Sequence, residues 1–355
     1  MSAEQRRIVL ASRSSQLAQI QTNIVLDTLK SAFPDRAFGT AFMSTQGDKN
    51  QSQALYLLGG KSLWTKELEV ALLEGEVDML VHSLKDVPTA LPEGCALGAI
   101  LEREHGEDSL VVKKGYTNGG KTVHTLDDLP VGAVVGTSSV RRVAQLKRLY
   151  PGLVFQDVRG NLNTRLAKLD DPNGSYAALI LAKAGLVRLG FGDRVTSDIV
   201  APTLFHAVGQ GALGVEIRAD DAEARRLCDA LTHWQTSWRC LAERALLRVL
   251  EGGCSVPVGV QSELVVPVVP GEARQGRLRL VGTITALDGQ RHVEREIEQD
   301  VSSPERAEEL GAQLAKSLVE SGGREILDEI TKDRQGRAGQ VEESVVQKNS
   351  EYSIT

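Results

Sequence analysis

Apolar positions along the first two-thirds of the chain switch between two periods. Short β-type runs stand at residues 7–12, 38–45 and 77–81, and residues 17–29 carry Leu17, Ile20, Ile24 and Val25 at helical spacing. Residues 63–74 place Leu63, Leu68, Ala71, Leu72 and Leu73 on overlapping helical faces, and Pro88 and Pro92 break the chain after the third strand. This strand–helix–strand rhythm predicts a mostly parallel sheet covered on both faces. It restarts after a Gly/Asn-rich loop at 113–121, with strands at 133–136, 153–158 and 177–182 and helices at 139–149, 161–169 and from 184 onward. Two doubly wound units in succession imply two similar lobes with a ligand cleft at the carboxyl ends of their strands.

The pattern changes near residue 232. A helix at 240–250 is stopped by Gly252-Gly253, and strands at 277–286 and 292–297 flank Asp288-Gly289, a hairpin signal. Helices at 304–320 and 324–330 follow, so the expected fold is α/β: two doubly wound lobes plus a smaller α+β C-terminal domain. Residues 331–355 are polar and aperiodic and read as a disordered tail.

Composition narrows the function classes. The 355 residues are 41% hydrophobic and 25% charged, with a net charge of −6, which argues against general affinity for nucleic acid or an anionic membrane. Aromatic residues make up 4%, too few for a base-stacking surface. Residues 1–7 are polar, and no apolar run has the length of a signal peptide or a membrane span. The four cysteines (Cys95, Cys228, Cys240 and Cys254) form no Cys-x-x-Cys pair, so neither a disulfide framework nor a zinc ribbon is expected. The expectation is a cytoplasmic protein. Its charge is uneven: residues 137–194 hold ten Lys/Arg against four Asp/Glu, and residues 291–355 hold nine against fifteen. A basic middle in an acidic chain points to a focused anion site.

Two glycine-rich stretches are set aside on context. Gly209-Gln-Gly211-Ala-Leu-Gly214 has dinucleotide-fingerprint spacing, but β-type Val215-Glu216-Ile217 follows where a helix is required. Gly60-Lys61-Ser62 looks like the end of a P-loop, but Leu55 stands where its first glycine belongs. A stronger anion signal is Thr137-Ser138-Ser139-Val140-Arg141-Arg142. Three hydroxyl residues precede a helix start, and two arginines in its first turn oppose the helix dipole. Arg13 beside Ser15, Arg159, Arg165 and Arg188 stand at or after the ends of other strands. Singly each reads as a solvated charge; together they suit a ligand with several carboxylates or phosphates. Ser83-Leu84-Lys85-Asp86 ends a buried strand, where Asp86 is either a proton donor in the cleft or half of a surface ion pair. Cys254 sits on a glycine loop beyond a helix. It is either a buried thiol or a reactive attachment point; Cys95, Cys228 and Cys240 read as core.

These motifs occur together in an order that resembles one family. Arg13 with Ser15, Gly59-Gly60-Lys61, His82-Ser83-Leu84-Lys85-Asp86-Val87-Pro88, Gly136-Thr-Ser-Ser-Val-Arg-Arg142, Arg159-Gly160-Asn161, Ala207-Val-Gly-Gln-Gly-Ala-Leu-Gly214 and Glu251-Gly-Gly-Cys254 are similar to the motifs of the porphobilinogen deaminases (hydroxymethylbilane synthases). The resemblance implies a transferase of haem and tetrapyrrole biosynthesis. Four porphobilinogen units would be joined head to tail, with loss of ammonia, onto a covalent dipyrromethane cofactor, and water would release the linear tetrapyrrole. It further implies that Cys254 anchors the cofactor by a thioether and that Asp86 is the catalytic carboxylate. Lys85, Ser83, Thr137, Ser138, Ser139, Arg141, Arg142, Arg159 and Arg188 would hold the cofactor, and Arg13, Ser15 and Arg165 the substrate. The lobes would resemble those of periplasmic binding proteins. Domain 1 would comprise residues 1–110 and 208–231, domain 2 residues 111–207, and domain 3 residues 232–330. Porphobilinogen is the expected partner, with neither nucleic acid nor membrane, and a monomer is expected. Trp64 departs from the phenylalanine more common in the family. A non-catalytic two-lobed binder of polyanions and a thiol enzyme built on Cys254 are the rival readings of the same residues.

Overall fold

A computed structural model describes residues 6–45, 61–251, 256–267, 274–333 and 336. The expectations at Gly59, Gly60 and Cys254, and nearly all of the 331–355 tail, lie outside the described residues. The chain opens with β1 (Ile8–Arg13), β2 (Phe38–Met43), β3 (Met79–Ser83) and β4 (Cys95–Ile100), interleaved with the helices Gln16–Ala32 and Lys66–Leu73. It then crosses to a second sheet. There β5 (Asp108–Val112), the small hairpin β6 (Thr117–Asn118) and β7 (Lys121–Thr122), β8 (Val134–Gly136), β9 (Val154–Gln156), β10 (Tyr176–Ala182) and β11 (Ser197–Ile199) alternate with the helices Val140–Leu149, Leu162–Asp170 and Lys183–Arg188. Finally β12 (Leu213–Arg218) returns to the first sheet.

The sheet orders are β2-β1-β3-β12-β4 and β11-β5-β10-β8-β9. Each is mixed rather than mostly parallel. β1 pairs parallel with β2 and β3, but β12 lies antiparallel between β3 and β4. In the second sheet β8 pairs parallel with β9 and β10, while β5 runs antiparallel to both β10 and β11. The difference arises because the chain crosses between the lobes twice. Each crossing delivers a strand from outside the local strand–helix–strand rhythm, so its direction is not set by that rhythm. The first crossing enters the second sheet at Asp108, so β5 spans residue 110.

Beyond residue 233, the helix Trp234–Glu251 is longer at its N-terminal end than its hydrophobic pattern predicted. A three-stranded antiparallel sheet follows, of β13 (Val258–Val265), β14 (Gly276–Thr285) and β15 (His292–Val301). β14 and β15 form the hairpin expected around Asp288-Gly289, and Gly289 adopts a φ of 81°. The helix Pro304–Leu318 packs on Trp234–Glu251 so closely that a Cβ on Gly311 would fall 2.0 Å from the Ala242 carbonyl oxygen. Among the described residues, no helix is long and apolar enough to cross a membrane.

One ion pair fastens the third unit to the first crossing. Arg103 donates Nη1 to Glu243 Oε1 at 2.9 Å and Nη2 to Oε2 at 2.8 Å, a two-point fork between side chains that are 5% and 0% exposed. Glu243 also accepts from Ser262 Oγ on β13 at 2.5 Å and from the Gly209 amide at 2.8 Å. Burial pushes the Glu243 carboxyl up, but Arg103, His206 and these donors overcome it and hold it down at about 2. Its ionisation therefore stabilises the fold above the ordinary value of 4.5, and that stability is lost as pH falls from there through about 2. Glu243→Gln is expected to cost about 3–5 kcal/mol at pH 7, because Arg103 stays buried without its counter-charge. It should also flatten the loss of stability below pH 4.5; thermal melts from pH 2 to 7 read both effects, and an unchanged acid limb would contradict them.

Candidate active site

The turn after β8 is built by its hydroxyls. Ser139 caps the Val140–Leu149 helix, its Oγ accepting from the Arg142 amide at 3.4 Å, and Thr137 Oγ1 accepts from the Ser139 amide at 3.3 Å. Ser138 Oγ donates to the Val158 carbonyl at 2.6 Å. Arg141 and Arg142 follow in the first helical turn, where the dipole disfavours them, yet they are only 5% and 6% exposed. Asp108, at the start of β5, explains this. Its Oδ2 accepts from Arg141 Nη2 and its Oδ1 from Arg142 Nη2, each at 2.7 Å. Arg141 Nη1 donates to the Phe205 carbonyl at 2.5 Å and Arg142 Nη1 to the Ile180 carbonyl at 2.8 Å. Much of the donor capacity of both guanidiniums is therefore spent inside the protein, while Arg142 Nε is buried without a hydrogen-bond partner.

In the first lobe, β3 ends at Ser83 and Leu84–Asp86 forms a single tight turn. This brings Asp86 and Ser83 into one pocket with Arg13, Ser15, Gln21 and Trp64. Gln21 Nε2 donates to Ser83 Oγ at 2.8 Å, and the Arg13 guanidinium lies 4.2 Å from the centre of the Trp64 ring. Ser15 caps the Gln16–Ala32 helix, accepting from the Ala18 amide. Lys85 points to the other crossing, donating Nζ to Gln210 Oε1 at 3.3 Å; Gln210 Nε2 in turn donates to Asp108 Oδ1 at 2.9 Å.

Across from these, Arg165 Nε donates to the Gly160 carbonyl at 2.8 Å, and Lys168 Nζ donates to the Arg159 carbonyl at 3.0 Å. Arg188 Nη2 donates to the Gly211 carbonyl at 2.7 Å, tying the second lobe to the return segment. The lobes also meet where Asn163 Nδ2 donates to Gln16 Oε1 at 2.9 Å.

Burial dominates the electrostatics of the cations here. Burial, then repulsion from Arg142 and Arg159, holds the Arg165 guanidinium down at about 10 against the weaker pull of Asp157 and Asp86. Burial likewise brings the Lys85 ammonium down to about 8; Arg142 and Arg141 push the same way, and Asp86 and Asp108 oppose them. The Asp108 carboxyl would be raised by burial, but the two arginines hold it far below its ordinary range. Cations crowded beyond their carboxylates are stabilised when a ligand brings carboxylates of its own. The unpartnered Arg142 Nε supplies a donor in the same cluster, so the residues present fit a small polycarboxylate such as a dipyrromethane.

No sequence motif assigns a role to Gln21, Asp108 or Gln210. Gln210 lies within the 207–214 motif, between Gly209 and Gly211 at φ values of 71° and 89°, and a Cβ on Gly211 would sit 2.5 Å from the His105 carbonyl. These glycines shape a backbone crossing and not a phosphate cradle. Asp108 had no local signal, since it is one acidic residue in the run Glu107-Asp108. The described cysteines are unpaired thiols, and burial pushes Cys240 up to about 11 and Cys228 up to about 12. Cys95 is half-buried and also held up at about 12, burial and the nearby Glu216 acting together. A separate cavity, lined in part by Arg103, His206, Arg239 and Ser262, lies where the third unit meets the crossing segments and contains none of the predicted site residues.

Residues 8–226 match the family described as porphobilinogen deaminase, dipyromethane cofactor binding domain, and residues 237–320 match porphobilinogen deaminase, C-terminal domain. The chain belongs to the porphobilinogen deaminase family. A porphobilinogen deaminase of Synechococcus elongatus is 52% identical over 93% of this chain and 97% of its own length. One from Yarrowia lipolytica is 47% identical over 92% and 94% respectively. Among solved structures, the periplasmic aliphatic sulphonate binding protein SsuA of Escherichia coli aligns over 68% of this chain and 70% of its own, at 13% identity and a TM-score of 0.38. Within the family match, Arg13 to Arg188 fall in the cofactor-binding span and Cys254 in the C-terminal one.

The geometry separates two kinds of arginine. Arg141→Leu is expected to cost about 3–5 kcal/mol of stability, because it removes half of the charge that pays for burying Asp108. Among the described residues, Arg165→Leu deprives no buried carboxylate of a direct partner. It should leave the melting temperature nearly unchanged while weakening binding of a tricarboxylate probe about 10- to 100-fold. Melts and calorimetric titrations on the two variants check this; equal destabilisation of both would refute the distinction.

Proposed function

We propose that this chain is a porphobilinogen deaminase that joins four porphobilinogen units head to tail, releasing one ammonia per unit, and hydrolyses the product from the protein as linear hydroxymethylbilane. The observation that carries this reading is Asp86 in one pocket with Arg13 and within electrostatic reach of the buried Lys85 and Arg165, in a chain of this family. When bound, the dipyrromethane anchored through Cys254 supplies the nucleophilic pyrrole carbon to which substrate is joined. Asp86 accepts hydrogen bonds from pyrrole N–H groups, balances the positive charge left on the substrate as ammonia departs, and takes part in the proton transfers. Lys85, Arg142 and Arg165 neutralise acetate and propionate groups, and Arg13, held over Trp64, does the same beside Asp86. Arg159, Arg188 and the hydroxyls of Ser15, Ser83, Thr137, Ser138 and Ser139 complete the donor set. The surplus charge supports a ligand that accumulates carboxylates as it lengthens. Unpaired Cys95, Cys228 and Cys240 support a reducing, cytoplasmic setting, in which the chain acts as a monomer.

Intact mass of the purified protein beside Cys254→Ser tests the anchor. An excess of two linked pyrrole units that is absent from the variant is expected, and protein that stays unmodified after incubation with porphobilinogen would sink the assignment. Asp86→Asn should keep that mass excess but lose about 10²- to 10⁴-fold in turnover. Undiminished turnover would remove Asp86 from the chemistry, and absence of any turnover in the parent would leave only a polyanion binder.

A further inference from the structure

We propose that Asp108 is a positioning residue of the cleft: its one buried carboxylate holds Arg141 and Arg142 directly and, through the carboxamide of Gln210, holds and charges Lys85. This rests on the reading above, that Arg142 and Lys85 receive ligand carboxylates. The connections form one continuous path. Arg141 Nη2 and Arg142 Nη2 reach the two Asp108 oxygens at 2.7 Å, Gln210 Nε2 reaches Oδ1 at 2.9 Å, and Lys85 Nζ reaches Gln210 Oε1 at 3.3 Å. Gln210 is oriented by a further bond from Nε2 to the Gly106 carbonyl at 2.8 Å, so its oxygen faces Lys85. The residues come from both crossings between the lobes, from the start of the Val140–Leu149 helix and from the turn that carries Asp86. One group thus sets the relative placement of the cations and of the catalytic turn.

The assignment differs from a merely structural ion pair in its effect on Lys85. The groups facing its ammonium are Asp86 on its own turn, Arg141 and Arg142 on the Val140–Leu149 helix, and Asp108 on β5. Asp86 and Asp108 favour the charged form, and burial and the two arginines oppose it. Removing the Asp108 charge, or the carboxamide that hydrogen-bonds the ammonium, must therefore make Lys85 lose its proton at lower pH.

The test follows Lys85 directly in full-length protein labelled with [¹³C]lysine, its Cε resonance assigned by its absence in Lys85→Met. The parent midpoint is expected near pH 8. Asp108→Asn and Gln210→Met are each expected to lower that midpoint by about one pH unit. Gln210→Met leaves both arginines on Asp108 and decides the matter if Asp108→Asn does not fold. In the same variant, KM for porphobilinogen should rise and its rise should steepen above pH 7, with kcat changed less. A folded Gln210→Met protein whose Lys85 midpoint equals the parent's overturns the proposal. Failure of the enzymatic reading would appear separately, as a parent that consumes no porphobilinogen while the Lys85 midpoint still moves.

Discussion

Confining positive charge in a partly dry cleft is unfavourable, and the fold is organised around the group that makes it tolerable. Arg141, Arg142 and Lys85 would each lose hydration without recompense in their positions, and the first two are almost wholly buried. The Asp108 carboxylate answers both guanidiniums with one oxygen each and reaches the ammonium through Gln210. Asp108 opens β5 directly after the first crossing, and Gln210 lies on the second. The network is therefore also the place where the connections between the lobes are fastened to each other.

A second buried knot, Arg103 with Glu243, shows what a balanced pair does instead. There one guanidinium meets one carboxylate by a two-point fork, and Ser262 and the Gly209 amide complete the carboxylate's donors. Its effect is to lock the third unit against the crossing segments. Around Asp108 the count is uneven. Burial, more than repulsion from neighbouring arginines, holds the Arg165 guanidinium and the Lys85 ammonium below their ordinary values. The same kind of interaction thus anchors the third unit at Glu243 and gathers cations from both lobes at Asp108.

Most elements of both lobes were legible because each strand and helix buries its own local stripe. The runs at 7–12, 38–45 and 177–182 and the helix at 139–149 appear within a few residues of their predicted limits. The sheets' mixed direction was not legible, because β12 and β5 owe their orientation to the crossings. β13 was missed altogether: Val258–Val265 alternates weakly, and its inner positions become buried only against the flanking helices. The early start of the helix at Trp234 has a similar origin, since Trp234 and Trp238 gain their packing from the third unit's core.

The residue types of the site could be read directly. Arginines in a first helical turn oppose the dipole, and a serine run before them satisfies helix-start donors, so both advertise an anion in the one-dimensional text. Linear order could not reveal how these charges are shared, because counter-charges act through space and Asp108 stands 33 residues before Arg141. Thus the sequence by itself determined the chemistry on offer: cations, hydroxyls and a strand-end carboxylate at Asp86. Only the tertiary structure decided which arginines are spent on Asp108, which are held in excess, and that Gln210 joins Lys85 to them, since desolvation and pairing exist only once the lobes have closed around these groups.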